Sequence, residues 1–107
     1  MDVWERAVNW ANQIFDVCDE LPQRYQYSLG EQLRRASLSV PTNIAEGIGR
    51  ESIKERNYYY RVSKGSLYEV VSLLVMVGKR GHLDRSLYRQ LYTEANELAA
   101  ILSAMTR

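Results

Sequence analysis

The segment QLRRASLSVPTNIAEG, residues 32–47, carries an apolar stripe with a proline in its middle. The apolar residues recur at spacings of three and four, the period of one face of an α-helix. Together with residues on either side of the segment, the stripe consists of Leu29, Leu33, Ala36, Val40, Ile44 and Ile48. Because the stripe continues past Pro41, we predict one helix kinked at that residue rather than two helices. Proline inside a helix removes a backbone hydrogen bond at a cost of about 3 kcal/mol, and we expect Ser37 or Ser39 to satisfy the freed carbonyl.

The start and end of this helix are marked by capping residues. Ser28 precedes the stripe, and Glu31 lies three residues after Ser28, which is the pattern of a capping box. We therefore predict that the helix begins near Ser28. Gly47 and Gly49 are predicted to mark its end.

An amphipathic helix is predicted upstream, from Val3 to about Glu20. Pro22 ends it, because proline disfavours helical geometry in the residue before it. The predicted buried stripe consists of Trp4, Val8, Ala11, Ile14 or Phe15, Cys18 and Leu21.

Two more helices are predicted downstream. The third begins at Ser52, with Glu55 completing a capping box, and runs to about Lys79 before a stop at Gly81. Gly65 lies inside it, where glycine costs about 1 kcal/mol relative to alanine, so we expect another helix to approach closely there. The fourth runs from Asp84 as N-cap to Met105. Its stripe consists of Leu87, Leu91, Ala95, Leu98, Leu102 and Met105.

Four amphipathic helices with short connections predict an all-α fold, an antiparallel up-and-down four-helix bundle. The chain of 107 residues forms one domain, 1–107, large enough for a single core without metal or disulfide support. The sequence has no strand pattern and no linker between domains.

The net charge of +1 conceals an uneven distribution. Residues 1–32 hold six acids and two bases, whereas residues 33–64 hold three acids and seven bases. Two interpretations remain open: the basic segment and the acidic first helix attract each other within the fold or between subunits, or the basic segment binds an anionic partner.

Catalytic and metal-binding patterns are missing from the sequence. His82 is the only histidine and has no carboxylate–histidine spacing beside it, and residues 47–50 lack the lysine of a phosphate-binding loop. We therefore expect no catalysis, no metal and no cofactor. Cys18, the only cysteine, is expected in the core. The sequence shows no secretory signal and no apolar run long enough for a membrane, and an unpaired cysteine fits a reducing cytosol, so we expect a cytoplasmic protein.

Polar and aromatic residues leave further alternatives. Glu46 either pairs with Arg50 or a base of the third helix, or contacts a partner. Eight tyrosines are many for this length, and at least one of the three at positions 58–60 must face outward because each step turns the helix by about 100°. Core and subunit packing is one use for them, and stacking on nucleic-acid bases is the other.

Four segments resemble a known family, the small four-helix bundle proteins encoded by intervening sequences within bacterial large-subunit ribosomal RNA genes. They are Val3-Trp4 with Ala7, Leu21-Pro22, residues 32–47, and Gly65-Ser66-Leu67 with Glu69. Accessory variability proteins of diversity-generating retroelements are among the relatives. The positions that match the family motif are Gln32, Arg35, Ser39, Pro41, Asn43, Glu46, Gly47, Gly65 and Ser66. The chain departs from the pattern at Arg56, usually aromatic or apolar, and at Ser63, usually alanine.

The resemblance implies a bundle that assembles as a ring-like homopentamer. In the retroelement relatives, a basic ring surface engages nucleic acid and the reverse transcriptase. Two hypotheses follow for this chain: a homo-oligomeric scaffold for protein–protein interaction, or an oligomeric accessory protein that binds RNA or DNA and a reverse transcriptase or another protein. The candidate nucleic-acid-binding residues are Arg34, Arg35, Arg50, Lys54, Arg56, Arg61 and Lys64. The competing interpretation pairs Arg34 and Arg35 with Glu46 or with the acids of the first helix.

Overall fold

The computed structural model describes residues 2–106, which form four long helices packed as a bundle. Helix α1 spans Val3–Asp19, α2 Glu31–Ile48, α3 Ile53–Lys79 and α4 Arg85–Met105. Helix α2 packs against α1 and α3, and α4 packs against α3 and α1. The predicted all-α four-helix bundle is confirmed.

The start of α2 differs from the prediction. A helical turn, Gln23–Tyr25, begins directly after Pro22 and continues through a π-helical segment, Gln26–Gly30, into α2. Ser28 lies inside this segment, and its hydroxyl donates to the Tyr25 carbonyl at 3.4 Å, so the predicted Ser28 capping box is wrong. Pro22 has extended backbone angles, which suit the residue immediately before a helix.

The buried tryptophan of α1 is Trp10, not Trp4 as the sequence stripe predicts. Trp4 is 42% exposed, whereas Trp10 is 1% exposed and its indole nitrogen donates to the Leu91 carbonyl at 3.0 Å. This bond satisfies the polar atom of the largest buried side chain. The α1 part of the core consists of Ala7, Trp10, Ala11, Ile14, Val17 and Cys18.

Helix α2 passes through Pro41 without a break, as predicted. The expected roles of the two serines are wrong. The Ser37 hydroxyl donates to the Arg34 carbonyl at 3.1 Å, and Ser39 is hydrogen-bonded to Ser66 of α3 at 2.9 Å. Each hydroxyl therefore has a partner other than the carbonyl that Pro41 frees.

The close helix contact occurs at a different glycine from the predicted one. Gly65 is exposed, and a Cβ on it would find no described atom within 4 Å. Gly47, predicted to mark the helix end, lies inside α2, where a Cβ would lie 2.5 Å from Cε1 of the buried Tyr60. Gly47 therefore lets the Tyr60 ring pack on the α2 backbone, and α2 ends at the C-cap Gly49.

The predicted N-cap residues of α3 and α4, Ser52 and Asp84, are confirmed. Ser52 accepts from the Glu55 amide at 3.2 Å, and Asp84 accepts from the Leu87 amide at 2.8 Å. Gly81 has φ of 83°, the left-handed conformation that ends α3 and that glycine adopts without steric penalty.

Candidate functional site on helices α2 and α3

The seven candidate bases of residues 34–64 do not form one free surface. Arg34 is half-buried and points back along the chain. Its Nη1 and Nη2 donate to the Gln26 side-chain oxygen at 3.1 Å and the Gln26 carbonyl at 2.9 Å. The Gln26 amide in turn donates to the Cys18 and Leu21 carbonyls, both at 2.8 Å, at the end of α1. Arg34 thus fixes the π-helical segment to α1.

Arg50 is held by three side chains at the α2–α3 connection. Its Nη2 donates to Glu46 Oε2 at 2.8 Å and to the Tyr59 hydroxyl at 3.0 Å, and Glu55 lies 4.0 Å from its Nε. The guanidinium also lies 4.9 Å from the Tyr59 ring centroid, a cation–π distance. The first interpretation of Glu46, an ion pair with Arg50, is therefore the arrangement in the structure.

Arg56 and Lys64 also have partners within the bundle. Arg56 Nε donates to the Arg50 carbonyl at 2.7 Å and its Nη2 to the Glu51 carbonyl at 3.1 Å, so it holds the connection between α2 and α3. Lys64 Nζ donates to the Ser103 hydroxyl of α4 at 2.8 Å. The bonds to these two carbonyls explain why this chain has an arginine at position 56, where the family usually has an aromatic or apolar residue.

The remaining three of the seven bases are exposed and have weaker contacts with the bundle. Arg35 is 81% exposed at its side chain and lies 3.7 Å from Glu31, one turn earlier in the chain. The competing interpretation is wrong: in the described part of the chain, neither Arg34 nor Arg35 forms an ion pair with Glu46 or with α1. Within residues 2–106, Lys54 and Arg61 have no carboxylate at ion-pair distance.

Lys54 and Arg61 lie on a stripe of exposed residues that we call the outer face of α3. The stripe follows helical spacing on the side of α3 opposite the core. It consists of Lys54, Tyr58, Arg61, Gly65, Tyr68, Ser72 and Met76, all exposed. Tyr58 and Tyr68 are 60% and 56% exposed. The prediction that one of the tyrosines at 58–60 faces outward is met by Tyr58, while Tyr60 is buried.

Much of the family motif joins α2 to α3. Asn43 Nδ2 donates to the Ser39 carbonyl at 2.8 Å and to the Ser39 hydroxyl at 2.9 Å, and that hydroxyl is bonded to Ser66. Ser63, the second departure, donates its hydroxyl to the Val40 carbonyl at 2.8 Å. These polar contacts and the Gly47–Tyr60 contact fix the packing of the two helices. Gln32 lies exposed on α2.

Cys18, the possible metal ligands and the possible membrane spans were the remaining candidates in the sequence. Cys18 is buried, its thiol donates to the Gly30 carbonyl at 3.7 Å, and burial raises the pKa of the thiol. Across residues 2–106, no three histidine, cysteine or acidic side chains group as metal ligands. Within the same range, no helix is both long and apolar enough to cross a membrane.

The comparisons with known proteins concern nearly the whole chain. The family model described as 23S rRNA-intervening sequence protein matches residues 1–104. A solved structure from Bacteroides thetaiotaomicron VPI-5482, described as a protein of unknown function from the S23 ribosomal protein family, superimposes with a TM-score of 0.91. It is 16% identical and the match covers 99% of each chain, a likeness that concerns the fold. No curated protein matches the chain. From the family match, the chain belongs to the 23S rRNA-intervening sequence protein family.

Proposed function

We propose that this protein is a non-enzymatic homo-oligomer that assembles through the outer face of α3. The expected assembly is the ring-like homopentamer that the family resemblance implies. The observation that carries the proposal is Gly65, a glycine in the middle of the longest helix with open space around it.

Gly65 has no packing role among residues 2–106. Glycine in a helix interior is about 1 kcal/mol less favourable than alanine, and no described atom occupies the space that a Cβ would fill. A helix from a second copy would use that space, because the lack of a side chain permits close backbone approach. The same contact would cover Tyr58 and Tyr68, which flank Gly65 by two turns and one turn.

Aromatic residues support a protein contact at this face. Tyrosine and methionine are enriched at protein interfaces, and tyrosine offers a large contact area at a low cost in conformational entropy. Met76 extends the exposed apolar part of the face toward the end of α3. Of the two uses considered for the outward tyrosines, subunit packing is therefore the better supported.

Nucleic-acid binding is a second candidate function, favoured by Lys54 and Arg61 on either side of Tyr58. In the described part of the chain, both cations lack a carboxylate partner. Two such cations beside an exposed ring suit a single strand, whose phosphates pair with basic side chains and whose nucleobases stack on aromatic rings. The two uses compete, because a face buried between copies is closed to nucleic acid.

Light scattering after size exclusion tests the assembly. The wild type should give a multiple of the 12.4 kDa protomer mass, and Tyr68→Glu should give the protomer mass because it buries a charge at the contact. Tyr27→Glu is the matched control, since Tyr27 is also exposed but lies outside the outer face of α3. A monomeric wild type at micromolar concentration rejects the homo-oligomer. Loss of assembly in both variants, or in neither, rejects this face as the contact.

A further inference from the structure

A cluster of cations surrounds one tyrosine at the end of the bundle where the α1–α2 connection meets the α3–α4 connection. We call Arg24, Tyr25, Arg80 and His82 the Tyr25 cluster. The guanidinium carbons of Arg24 and Arg80 lie 4.7 Å and 5.9 Å from the Tyr25 ring centroid. Arg80 Nη1 donates to the Tyr25 hydroxyl at 3.5 Å, and the His82 ring meets the Tyr25 ring edge-on at 5.7 Å between centroids.

Backbone hydrogen bonds fix the chain in both connections that carry the cluster. On the α3 side, the His82 amide donates to the Val77 carbonyl and the Gly81 amide to the Gly78 carbonyl, both at 3.0 Å. With Gly81 at positive φ, these bonds form a Schellman motif, which fixes the direction of the chain on both sides of the glycine.

On the opposite side, the Tyr25 amide donates to the Pro22 carbonyl at 2.9 Å. The Gln26 amide group ties the next residue to the end of α1. The cluster is therefore built on fixed backbone from two separate connections, so little backbone freedom remains to be lost when a ligand binds.

The charges of the cluster are not balanced within the described chain. Arg6 and Arg50, elsewhere in the bundle, each contact carboxylates. Within residues 2–106, Arg24 and Arg80 have no carboxylate at ion-pair distance, although both contact the same ring. Hydrogen bonding from Arg24 lowers the pKa of the Tyr25 hydroxyl; burial opposes this shift and the charge of Arg80 adds to it. Like charges held at one ring repel each other, and an anion between them would relieve that repulsion.

We propose that the Tyr25 cluster binds a phosphate group. Guanidinium groups donate in a planar fork that matches phosphate oxygens, and hydrogen bonds between ionised partners are the strong ones. The Tyr25 hydroxyl accepts from Arg80 and keeps its own hydrogen to donate to the ligand. Both arginines are exposed, so a phosphate can reach them from solvent. The phosphate is either a free ion or part of an RNA backbone.

A purely structural role would not require both arginines of the cluster. A contact of Arg80 with Tyr25 would by itself join the two connections of the bundle. Arg24, the second guanidinium on the ring, adds a cation–π contact with its own neighbour in the chain but no further link between the two connections. The site does not depend on the outer face of α3, and it stands whether or not the chain assembles.

The test is a titration of the full chain with two probes, inorganic phosphate and a single-stranded oligouridylate. Binding is followed by NMR shifts of the Arg24 and Arg80 side-chain N–H groups and by fluorescence anisotropy of the labelled oligonucleotide. Arg24→Gln with Arg80→Gln should weaken binding at least tenfold. The matched control, Arg85→Gln with Arg89→Gln, removes the same charge from exposed positions on α4 and should weaken it less than threefold.

Each outcome decides the proposal. Binding of both probes at the cluster supports a free-phosphate site, and binding of the oligonucleotide alone supports an RNA backbone site. Equal weakening in the two double variants would mean that only net charge matters, and it would overturn the proposal. Failure of both probes to bind would also overturn it. Tyr25→Phe keeps the ring but removes the hydroxyl, so it should weaken binding by a smaller factor. The molar mass of each variant, measured by light scattering, shows whether a change in binding is accompanied by a change in assembly.

Discussion

At the residue scale, two glycines inside long helices have opposite surroundings. Gly47 of α2 faces the buried Tyr60, whose Cε1 and Cδ1 lie 2.5 Å and 2.9 Å from the place of a Cβ. Gly65 of α3 faces open space. Glycine weakens a helix interior at both positions. The contact with Tyr60 explains Gly47 within the described subunit, and the proposed contact with a second copy would explain Gly65.

We expect Gly47→Ala to destabilise the fold by about 1–3 kcal/mol, the range for extra volume in a packed core. The Tyr60 ring is 5% exposed, so it cannot swing aside into solvent without moving its neighbours. Urea unfolding measures the change. Gly49→Ala is the control, because the nearest atom to its Cβ would be 3.6 Å away, an ordinary contact. Equal effects of the two substitutions would contradict this account of Gly47.

Both glycines could be identified from the sequence, but their roles could not. A glycine has no hydropathy that reveals which face of a helix it occupies, and the relevant neighbour of Gly47 is Tyr60, thirteen positions later. Similarly, spacing placed Trp4 on the buried stripe, although the core uses Trp10. Both tryptophans lie within reach of an apolar α1 face, and only the position of α4, whose Leu91 carbonyl accepts from Trp10, distinguishes them.

At the element scale, the entry into α2 depends on one arginine. The π-helical segment lets the Gln26 carbonyl accept from Arg34, and the guanidinium lies close to Gly30, where a Cβ would be 3.3 Å from Nη1. π-Helical turns are rare and need specific stabilisation. This turn could not be predicted from the sequence, because residues 26–30 contain a plausible cap and no proline.

Arg34→Gln should destabilise the fold by roughly 1–3 kcal/mol, because it leaves half-buried polar groups of Gln26 without their donor. The adjacent Arg35→Gln is the control and should change stability by about 0.5 kcal/mol or less, as expected for an exposed pair. Denaturant unfolding of both variants measures the difference. A loss of stability in Arg35→Gln equal to that in Arg34→Gln would show that charge, rather than the π-helical anchor, is responsible.

Helices α1 and α4 are joined by an ion pair whose strength depends on pH. Arg6 Nη2 and Nε donate to the two oxygens of Glu94 at 2.5 Å and 3.0 Å. Hydrogen bonding from Arg6 lowers the pKa of Glu94 below its ordinary 4.5, while burial opposes the shift. A depressed folded-state pKa stabilises the protein above the unfolded-state value, and that contribution is lost as the pH falls through the folded-state pKa.

Glu94→Gln should therefore be less stable than the wild type at neutral pH, and the difference should shrink as the pH falls below 4.5. Thermal unfolding at a series of pH values measures it. Glu97→Gln is the control, since Glu97 makes a longer contact with Arg6 and its side chain is 59% exposed against 25% for Glu94. A difference between Glu94→Gln and wild type that does not change with pH would contradict the assignment.

Features fixed by residues close together in the sequence could be predicted, whereas features fixed by long-range contacts could not. Local caps located the starts of α3 and α4, because Ser52 and Asp84 bond amides only three residues away. The candidate basic surface was less predictable, since its members are distributed by long-range contacts. Arg34 pairs eight residues back, and Lys64 reaches Ser103 on another helix. Proximity along the chain therefore grouped seven bases, of which the fold assigns four to separate contacts within the bundle and leaves three exposed.

At the scale of the whole molecule, assembly would determine how strongly the protein attracts nucleic acid. One protomer carries a net charge of +1, which gives little long-range attraction for phosphate. Repetition around a ring places one copy of each exposed cluster on every subunit, so that their fields add. Binding by an assembly should then depend on salt more steeply than binding by a single subunit.

The salt dependence of oligouridylate binding tests this directly. Each single-strand phosphate neutralised contributes about −0.7 to the slope of log affinity against log salt, so five subunits contacting one phosphate each would give about −3.5. Tyr68→Glu, as a dissociated protomer, should give about −0.7 by the same relation. Tyr92→Glu carries the same added charge at an exposed position of α4, outside both the outer face of α3 and the Tyr25 cluster, and should keep the steep slope of the wild type. If Tyr68→Glu dissociates but retains that slope, one subunit supplies all the phosphate contacts, and the ring contributes nothing to affinity.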